Sequence, residues 1–373
     1  TGYGAFKYAP PTDFLALCAG NLSTADSIDP AQTDDDYPQE LFFMSEYSGN
    51  GTGRTITTEN KPDLIWLRSA NTAQDWYVVD STRVITDNKY LLTNTTAAEA
   101  TLPQGNFTSV GATSVGISSG TWLNSGGSNY KMWMWRANGG TTSTNTQGDI
   151  DSTVQVDPSG GFSIVKYTGT LSSSGVQTVG HGLSKAPSMF ITKSLEKAGN
   201  WWVFSDEQTS WNYGLNLQTG GAQADKSGNG SMSAPNANVF STNYTDGMNE
   251  NGNDLIAYCF ANIEGYCKVG SYVGNAATDG TFVYTGFKPA FVMNKPLVAG
   301  SWRLVDSQRS PYNVTQASLS PRNSDAEDTD ATVRIDFLSN GFKMRNSDTP
   351  MNQATTYLYL AFAENPFKYA TAR

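Results

Sequence analysis

Short apolar runs, separated by polar turns, recur along the chain in a fixed order. Three of them begin with proline and continue at strand length, and a polar turn then leads to a second run headed by tryptophan. Proline cannot donate a backbone hydrogen bond and sits at strand starts, so each unit predicts two consecutive strands. The prolines are Pro62, Pro187 and Pro289, and the tryptophans, 14, 14 and 13 residues later, are Trp76, Trp201 and Trp302.

A third apolar run closes each unit. It ends in alanine 75, 74 and 74 residues after the proline, at Ala137, Ala261 and Ala363. A Tyr-x-Gly segment precedes each proline, starting at Tyr47, Tyr167 and Tyr272. The constant spacing of the proline, tryptophan and alanine positions indicates an internal repeat present in three copies. Because the prolines and the equivalent residues Trp76, Trp201 and Trp302 recur in every copy, we assign them to the core of the repeat.

The closing run is apolar on both faces, which predicts a central strand that is covered on both sides. Aligned on the final alanine, Met134, Tyr258 and Leu360 are expected to share one face. We predict an all-β fold of three tandem β-sandwich repeats, of lectin or jelly-roll type, with little helix. A compact pseudo-threefold body and a linear string both remain possible arrangements.

The anchors also set the domain boundaries. A lead-in segment covers residues 1–39, repeat 1 covers 40–137, repeat 2 covers 160–265, and repeat 3 with a C-terminal tail covers 266–373. The Gly/Thr/Ser/Asn-rich stretch within 138–159 is interpreted as a linker or insertion.

Composition narrows the functional classes. Charged residues make up 16% of the chain, aromatic residues 12%, and the net charge is −10. No basic stripe suits nucleic acid, and no apolar run of eighteen residues or signal peptide is present, so neither nucleic-acid binding nor membrane insertion is expected. The three cysteines form no CxxC pair and His181 is the only histidine, so we expect buried free thiols, no metal site and no cofactor.

Candidates for catalysis are few. His181 has no accompanying nucleophile motif and is interpreted as a structural turn residue. Pairs of carboxylates can catalyse glycoside hydrolysis. The candidates are Asp75 with Asp80, Asp206 with Glu207, and the cluster of Asp325, Glu327, Asp328 and Asp330. This cluster could also bind calcium, but the favoured interpretation is that all these carboxylates lie in solvated turns. We therefore expect no enzyme.

Aromatic residues outside the repeat column are the candidate contacts with a ligand or partner. They do not recur in all copies, and exposed aromatic rings stack on sugars or bind proteins. The set comprises Trp122, Trp202, Trp211 and Tyr213.

Several strings resemble known virion proteins. The opening segment, residues 2–22, resembles the last strand and exit linker of a SPRY-type domain in phage tail-fibre-like proteins. The strings at 256–266, 268–274, 282–289, 337–342 and 361–367 resemble a repeated domain of unknown function from marine phage structural proteins. Repeat 1 departs from the pattern at Trp133-Met-Trp-Arg136. The resemblance implies no catalytic residues.

The resemblance implies a location on the virion surface. The expected function is a tail fibre or spike component that contacts the host; the alternative is a capsid-decorating or head-fibre protein. The expected partners are other virion proteins and a host surface glycan or protein, and a homo-oligomer is expected. A glycan-cleaving depolymerase is the third hypothesis.

Overall fold

A computed structural model describes residues 41–157, 159, 161–329, 333–347 and 350–364. The opening segment that resembles a SPRY linker, together with Cys18, lies outside them. The described chain is almost entirely antiparallel β-structure with a single short α-helix, which confirms the predicted fold class.

Repeat 1 forms nine strands and the helix. The strands are β1 Phe42–Ser48, β2 Arg54–Thr57, β3 Leu64–Ser69, β4 Tyr77–Asp80, β5 Lys89–Leu92, β6 Ala100–Thr101, β7 Phe107–Gly111, β8 Ser114–Ile117 and β9 Asn129–Trp135. Helix α1 is Thr121–Asn124, and 3-10 turns lie at Ser81–Arg83 and Ile85–Asp87. The inner sheet has the order β1-β9-β3-β4-β5-β6, and β2-β8-β7 form the outer sheet.

Repeat 2 forms ten strands. They are β10 Ser143–Asn145, β11 Ser152–Val156, β12 Phe162–Thr168, β13 Val176–Gly180, β14 Met189–Ser194, β15 Trp202–Ser205, β16 Tyr213–Asn216, β17 Ala224–Asp225, β18 Val239–Asn243 and β19 Asp254–Phe260, with a 3-10 turn at Ser227–Asn229. The inner sheet runs β10-β11-β12-β19-β14-β15-β16-β17, and β13 and β18 form the outer sheet. Strands β10 and β11, from the segment predicted as linker or insertion, thus extend this sheet.

Repeat 3 forms eight strands. They are β20 Cys267–Val273, β21 Phe282–Tyr284, β22 Pro289–Pro296, β23 Arg303–Asp306, β24 Ser318–Leu319, β25 Ile335–Leu338, β26 Gly341–Met344 and β27 Thr356–Ala363. The inner sheet has the order β20-β27-β22-β23-β24 and the outer sheet β21-β26-β25. In every repeat the closing strand lies in the interior of the inner sheet, between two strands, as its double-sided apolar pattern predicted.

Each inner sheet has two apolar faces with different partners. One face packs on the outer sheet of its own repeat, which gives three separate clusters. The opposite faces of all three inner sheets pack into one shared cluster. The repeats therefore form a compact body around a common core, which settles the arrangement that the sequence left open.

Aromatic rings from all three closing strands meet in this shared core. Trp135, Phe260 and Phe362 occupy equivalent positions, because their cross-strand partners Leu64, Met189 and Phe291 each lie two residues after the repeat proline. The Trp135 and Phe362 ring centroids are 5.7 Å apart, and those of Phe260 and Phe362 are 6.0 Å apart. Edge-to-face contacts of this kind add to the free energy gained by burial.

The closing strands were aligned on their final alanines, which predicted that Met134 shares a face with Tyr258 and Leu360. This prediction is wrong for repeat 1. Phe260 lies directly before Ala261, but the equivalent Trp135 lies two residues before Ala137. Trp133 and Trp135 consequently face the shared core together with Tyr258 and Leu360. Met134 faces the outer sheet of repeat 1 instead. Because side chains alternate along a strand, a one-residue error exchanges the two faces.

Candidate functional site

The predicted tryptophan column joins the repeats into a closed ring. Trp76, Trp201 and Trp302 are fully buried, and each indole N–H donates to a backbone carbonyl of another repeat. Trp201 of repeat 2 donates to Leu92 O of repeat 1 at 2.7 Å, Trp302 of repeat 3 to Asn216 O of repeat 2 at 2.8 Å, and Trp76 of repeat 1 to Ser320 O of repeat 3 at 2.9 Å. Head-to-tail contacts close into a ring when the last copy contacts the first, as repeats 1 and 3 do here.

A second set of equivalent backbone bonds joins the same pairs of repeats, but here the direction from donor to acceptor around the ring is reversed. The amide of Glu99 donates to Leu195 O at 2.8 Å, the amide of Gln223 to Leu297 O at 2.9 Å, and the amide of Glu327 to Ala70 O at 2.7 Å. Each interface therefore combines a buried indole hydrogen bond with a main-chain hydrogen bond. The predicted core prolines, Pro62, Pro187 and Pro289, are also buried.

Two of the three interfaces contain a buried ion network. Between repeats 1 and 2, Arg83 contacts Asp80 at 2.7 Å and Glu99 at 2.9 Å, and the Tyr258 hydroxyl donates to Asp80 at 2.8 Å. Asp80 is only 1% exposed, so its interpretation as a solvated turn carboxylate is wrong. A buried carboxylate needs such partners, because unpaired charges are costly inside a protein.

The interface between repeats 3 and 1 repeats this network. Arg309 contacts Asp306 and Glu327, each at 2.6 Å, and Trp133 of repeat 1 donates to Asp306 at 3.2 Å. Burial acts to raise the pKa of Asp306, but Arg309 and Lys131 outweigh it and hold that pKa below its ordinary value.

The position of the aspartate–arginine pair is occupied by neutral residues in repeat 2, whose Glu207 instead accepts a hydrogen bond from Ser271 Oγ of repeat 3 at 2.5 Å. Ser205 and Gln208 occupy the positions of Asp80 and Arg83, and the Ser205 amide donates to Gln208 Oε1 at 2.7 Å. In repeats 1 and 3 the amide of the arginine donates to the aspartate carboxylate instead, so the charged pair is a feature of two repeats and not of all three.

A buried cation occupies one equivalent strand position in every repeat. Arg68, Lys193 and Lys295 are fully buried, and each donates hydrogen bonds to backbone carbonyls. Desolvation lowers the pKa of Arg68 to about 10 and that of Lys193 to about 8; with Arg322 it also lowers that of Lys295 to about 8.

The four predicted contact residues do not form one surface. Trp202 is buried, donates its indole N–H to Asp246 O at 2.8 Å and lies under Lys226, so it is a core residue of repeat 2. Trp211 is half-buried and stacks on Phe190 with a centroid distance of 5.7 Å. Trp122 is half-buried against the outer core of repeat 1, and Tyr213 is half-buried on β16.

The exposed aromatic residues of the described chain lie instead in repeat 3. Phe282 and Tyr284 on β21 are 45% and 66% exposed, and Tyr312 is 84% exposed. At the corresponding positions β2 of repeat 1 carries Thr55 and Thr57, which are also exposed. Neighbouring exposed apolar side chains form the kind of patch with which other molecules can make contact. Phe282 and Tyr284 lie on the same side of β21, whereas Tyr312 precedes Asn313, which bonds to Phe337 of the opposite edge strand β25. We call Phe282 and Tyr284 the aromatic face.

His181 has a structural environment. It is fully buried, its Nε2 donates to Asn236 O at 3.0 Å, and its Nδ1 accepts from the Leu183 amide at 3.1 Å. Burial lowers its pKa, so the neutral ring fixes the turn.

The remaining candidates are the cysteines and the carboxylate cluster. Cys259 and Cys267 are buried free thiols, as expected. Asp330 lies outside the described residues. Within them, no three His, Cys, Asp or Glu side chains come close enough to hold a metal ion, and no helix has the length and apolarity to cross a membrane.

The ring of three β-sandwiches defines the class of protein, and one family model matches it. The chain belongs to the family described as "Domain of unknown function (DUF7483)", which covers residues 37–366 and hence all three repeats. No curated protein matches the chain, and no solved structure matches it.

Proposed function

We propose that this chain is a structural and adhesive protein of a virion surface, a tail fibre or spike component that contacts the host. Other virion proteins and a host surface glycan or protein are the proposed partners, within a homo-oligomer on the extracellular particle. The proposed location rests on the strings that resemble phage structural proteins. The proposed contact with the host rests on the aromatic face.

The aromatic face is the observation that carries the adhesive role. The core of the ring is filled with buried apolar side chains of all three repeats, and two of its interfaces contain buried ion pairs. Phe282 and Tyr284 are not needed for that packing, since each exposes about half or more of its surface. Functional contacts are commonly presented on the surface of a rigid scaffold.

Gold-labelled antibody against residues 160–369, imaged on intact particles, tests the location. Label at the tail tip supports the fibre or spike assignment. Label spread over the head supports the capsid-decorating alternative, in which the outer surfaces contact the shell. Particles that bind no antibody, although the chain is detected in the same lysate, overturn a virion location.

Host adsorption tests the contact surface. The double variant Phe282→Thr with Tyr284→Thr gives repeat 3 the residues that repeat 1 has at these positions. The fold should persist because both side chains are exposed, and binding to host cells should fall. The matched control is Thr55→Ser with Thr57→Ser on β2. Equal adsorption by all three proteins would exclude the aromatic face as the contact.

A further inference from the structure

One core position of the closing strands carries a lysine in repeat 1. This residue, Lys131 on β9, is fully buried. The equivalent residues of repeats 2 and 3, given by the pairing of the inner strands, are Ile256 and Leu358, which belong to the shared apolar core. Because a buried amine is costly without compensating partners, the groups that surround this lysine indicate why it is there.

Three oxygen-bearing side chains surround the amine. Nζ of Lys131 lies 3.4 Å from Glu46 Oε1 on the neighbouring strand β1 and 3.7 Å from Asp306 Oδ1 of repeat 3. It also donates to Oε1 of the Gln308 carboxamide in repeat 3. Desolvation lowers the pKa of Lys131, and Arg309 acts in the same direction, while the two carboxylates oppose the shift. Burial thus raises the share of the neutral amine, which is the nucleophilic form.

The Gln308 carboxamide is the neighbour that a neutral amine can attack. Carboxylate anions resist nucleophiles, and Arg309, at 2.6 Å, stabilises the anion of Asp306. The carboxamide is uncharged, and because a carbonyl bond is only about 1.2 Å long, the contact at Oε1 places its carbon beside the amine. Gln308 is exposed, so ammonia released from its side chain can reach the solvent.

The other two interfaces have no lysine–glutamine pair at these positions. In place of Lys131, Glu46 and Gln308 they have Ile256, Lys166 and Thr82, and Leu358, Ser271 and Glu207. The interface with the pair joins the first repeat to the last, whereas consecutive repeats are connected by the chain itself. A covalent bond at this place would close the ring, and a cross-link between residues far apart in the chain restricts the unfolded state strongly.

We propose that an isopeptide bond joins Nζ of Lys131 to Cδ of Gln308 and links repeat 1 covalently to repeat 3. Glu46 accepts a proton from the lysine ammonium, and the neutral Nζ attacks Cδ. Glu46 then protonates the carboxamide nitrogen, which leaves as ammonia when its bond to Cδ breaks, and takes the remaining proton from Nζ. In sum, the ammonium and the carboxamide give a secondary amide and one ammonium ion, with no oxidant or reductant. The bond does not depend on the proposed virion role.

Mass spectrometry of the purified, denatured chain tests this bond. The intact chain should be lighter than its sequence predicts by one ammonia molecule. Because trypsin does not cleave after an acylated lysine, the digest should contain residues 90–136 and 304–309 as one linked peptide. Fragmentation of that peptide should place the link between Lys131 and Gln308.

Two variants should prevent the bond without disturbing the fold. Gln308→Thr introduces the residue that repeat 1 has at this position, and Glu46→Ala removes the proton acceptor. Both side chains are exposed, so thermal unfolding should verify that each variant folds, and each should have its full sequence mass and no linked peptide. Lys89→Met, which removes a half-exposed lysine that pairs with Glu99 near the interface of repeats 1 and 2, is the control and should still be linked.

Four results would count against this assignment. An unmodified mass of the wild type overturns the proposal. So does an ammonia loss without the linked peptide, which succinimide formation at an Asn-Gly step such as 251–252 would give. A loss of water with Lys131 linked to Asp306 would overturn the assignment to Gln308, and a linked peptide in Glu46→Ala would overturn the role of Glu46.

Discussion

Replacing the buried Lys193 by methionine should change the way in which stability depends on pH. Nζ of Lys193 donates to Thr96 O at 3.0 Å and Gly199 O at 2.9 Å, and no carboxylate pairs with it directly. Burial lowers the pKa of this lysine from 10.5 to about 8, although Asp246 partly opposes the shift. In neutral solution the folded chain must therefore hold a charge that is poorly solvated.

The sign follows from proton linkage. Between pH 8 and 10.5 the folded chain has released the Lys193 proton while the unfolded chain still holds it, so raising the pH favours the folded state. This interval corresponds to about 3 kcal/mol. The difference between the unfolding free energies of the wild type and Lys193→Met (wild type minus variant) should thus increase by about 3 kcal/mol as the pH rises from 7 to 10.5.

Urea denaturation followed by tryptophan fluorescence measures this difference directly. Tyrosine and cysteine titrations are common to both proteins and cancel when the two unfolding free energies are subtracted. Lys185→Met, which removes an exposed lysine of the same repeat, is the matched control. A difference between wild type and Lys193→Met that stays constant across this pH range would refute the burial of a charged lysine at this interface.

Two further predictions concern the interior. Asp80→Asn should lower the free energy of unfolding by about 3–5 kcal/mol, because it leaves Arg83 buried with too little negative charge; Asp80→Ser with Arg83→Gln, the pair found at Ser205 and Gln208, should lose less. Urea titrations compare them, and an equal loss would contradict the account. Burial raises the pKa of Cys259 to about 12, so a thiol reagent should label it only after unfolding, as mass spectrometry of a tryptic digest can show.

The repeat and its core were predictable because burial constrains residue type at fixed spacing. Trp76, Trp201 and Trp302 recur because each fills the same place between two repeats. The ring itself was not predictable, since the acceptors are backbone carbonyls such as Leu92 O and Asn216 O, which any residue provides. The face error in repeat 1 arose from Ala137, which resembles Ala261 but lies one position further along.

The candidate contact surface was missed for a related reason. Trp202 was predicted to be exposed because the other repeats have no matching tryptophan. A residue specific to one repeat can equally fill the core of that repeat. A useful signal lay in the alternation of β21, where Phe282 and Tyr284 flank the buried Val283 and replace the threonines around Ile56 of β2.

Hydrogen exchange of Trp302→Ala tests most directly whether the three repeats share one core. The substitution should lower the free energy of unfolding by about 3–5 kcal/mol. With a shared core, amides of the closing strands β9, β19 and β27 should all exchange about a hundredfold or more faster than in the wild type. Faster exchange confined to β27 and its own sheet would mean that the repeats unfold independently, and would contradict the closed ring.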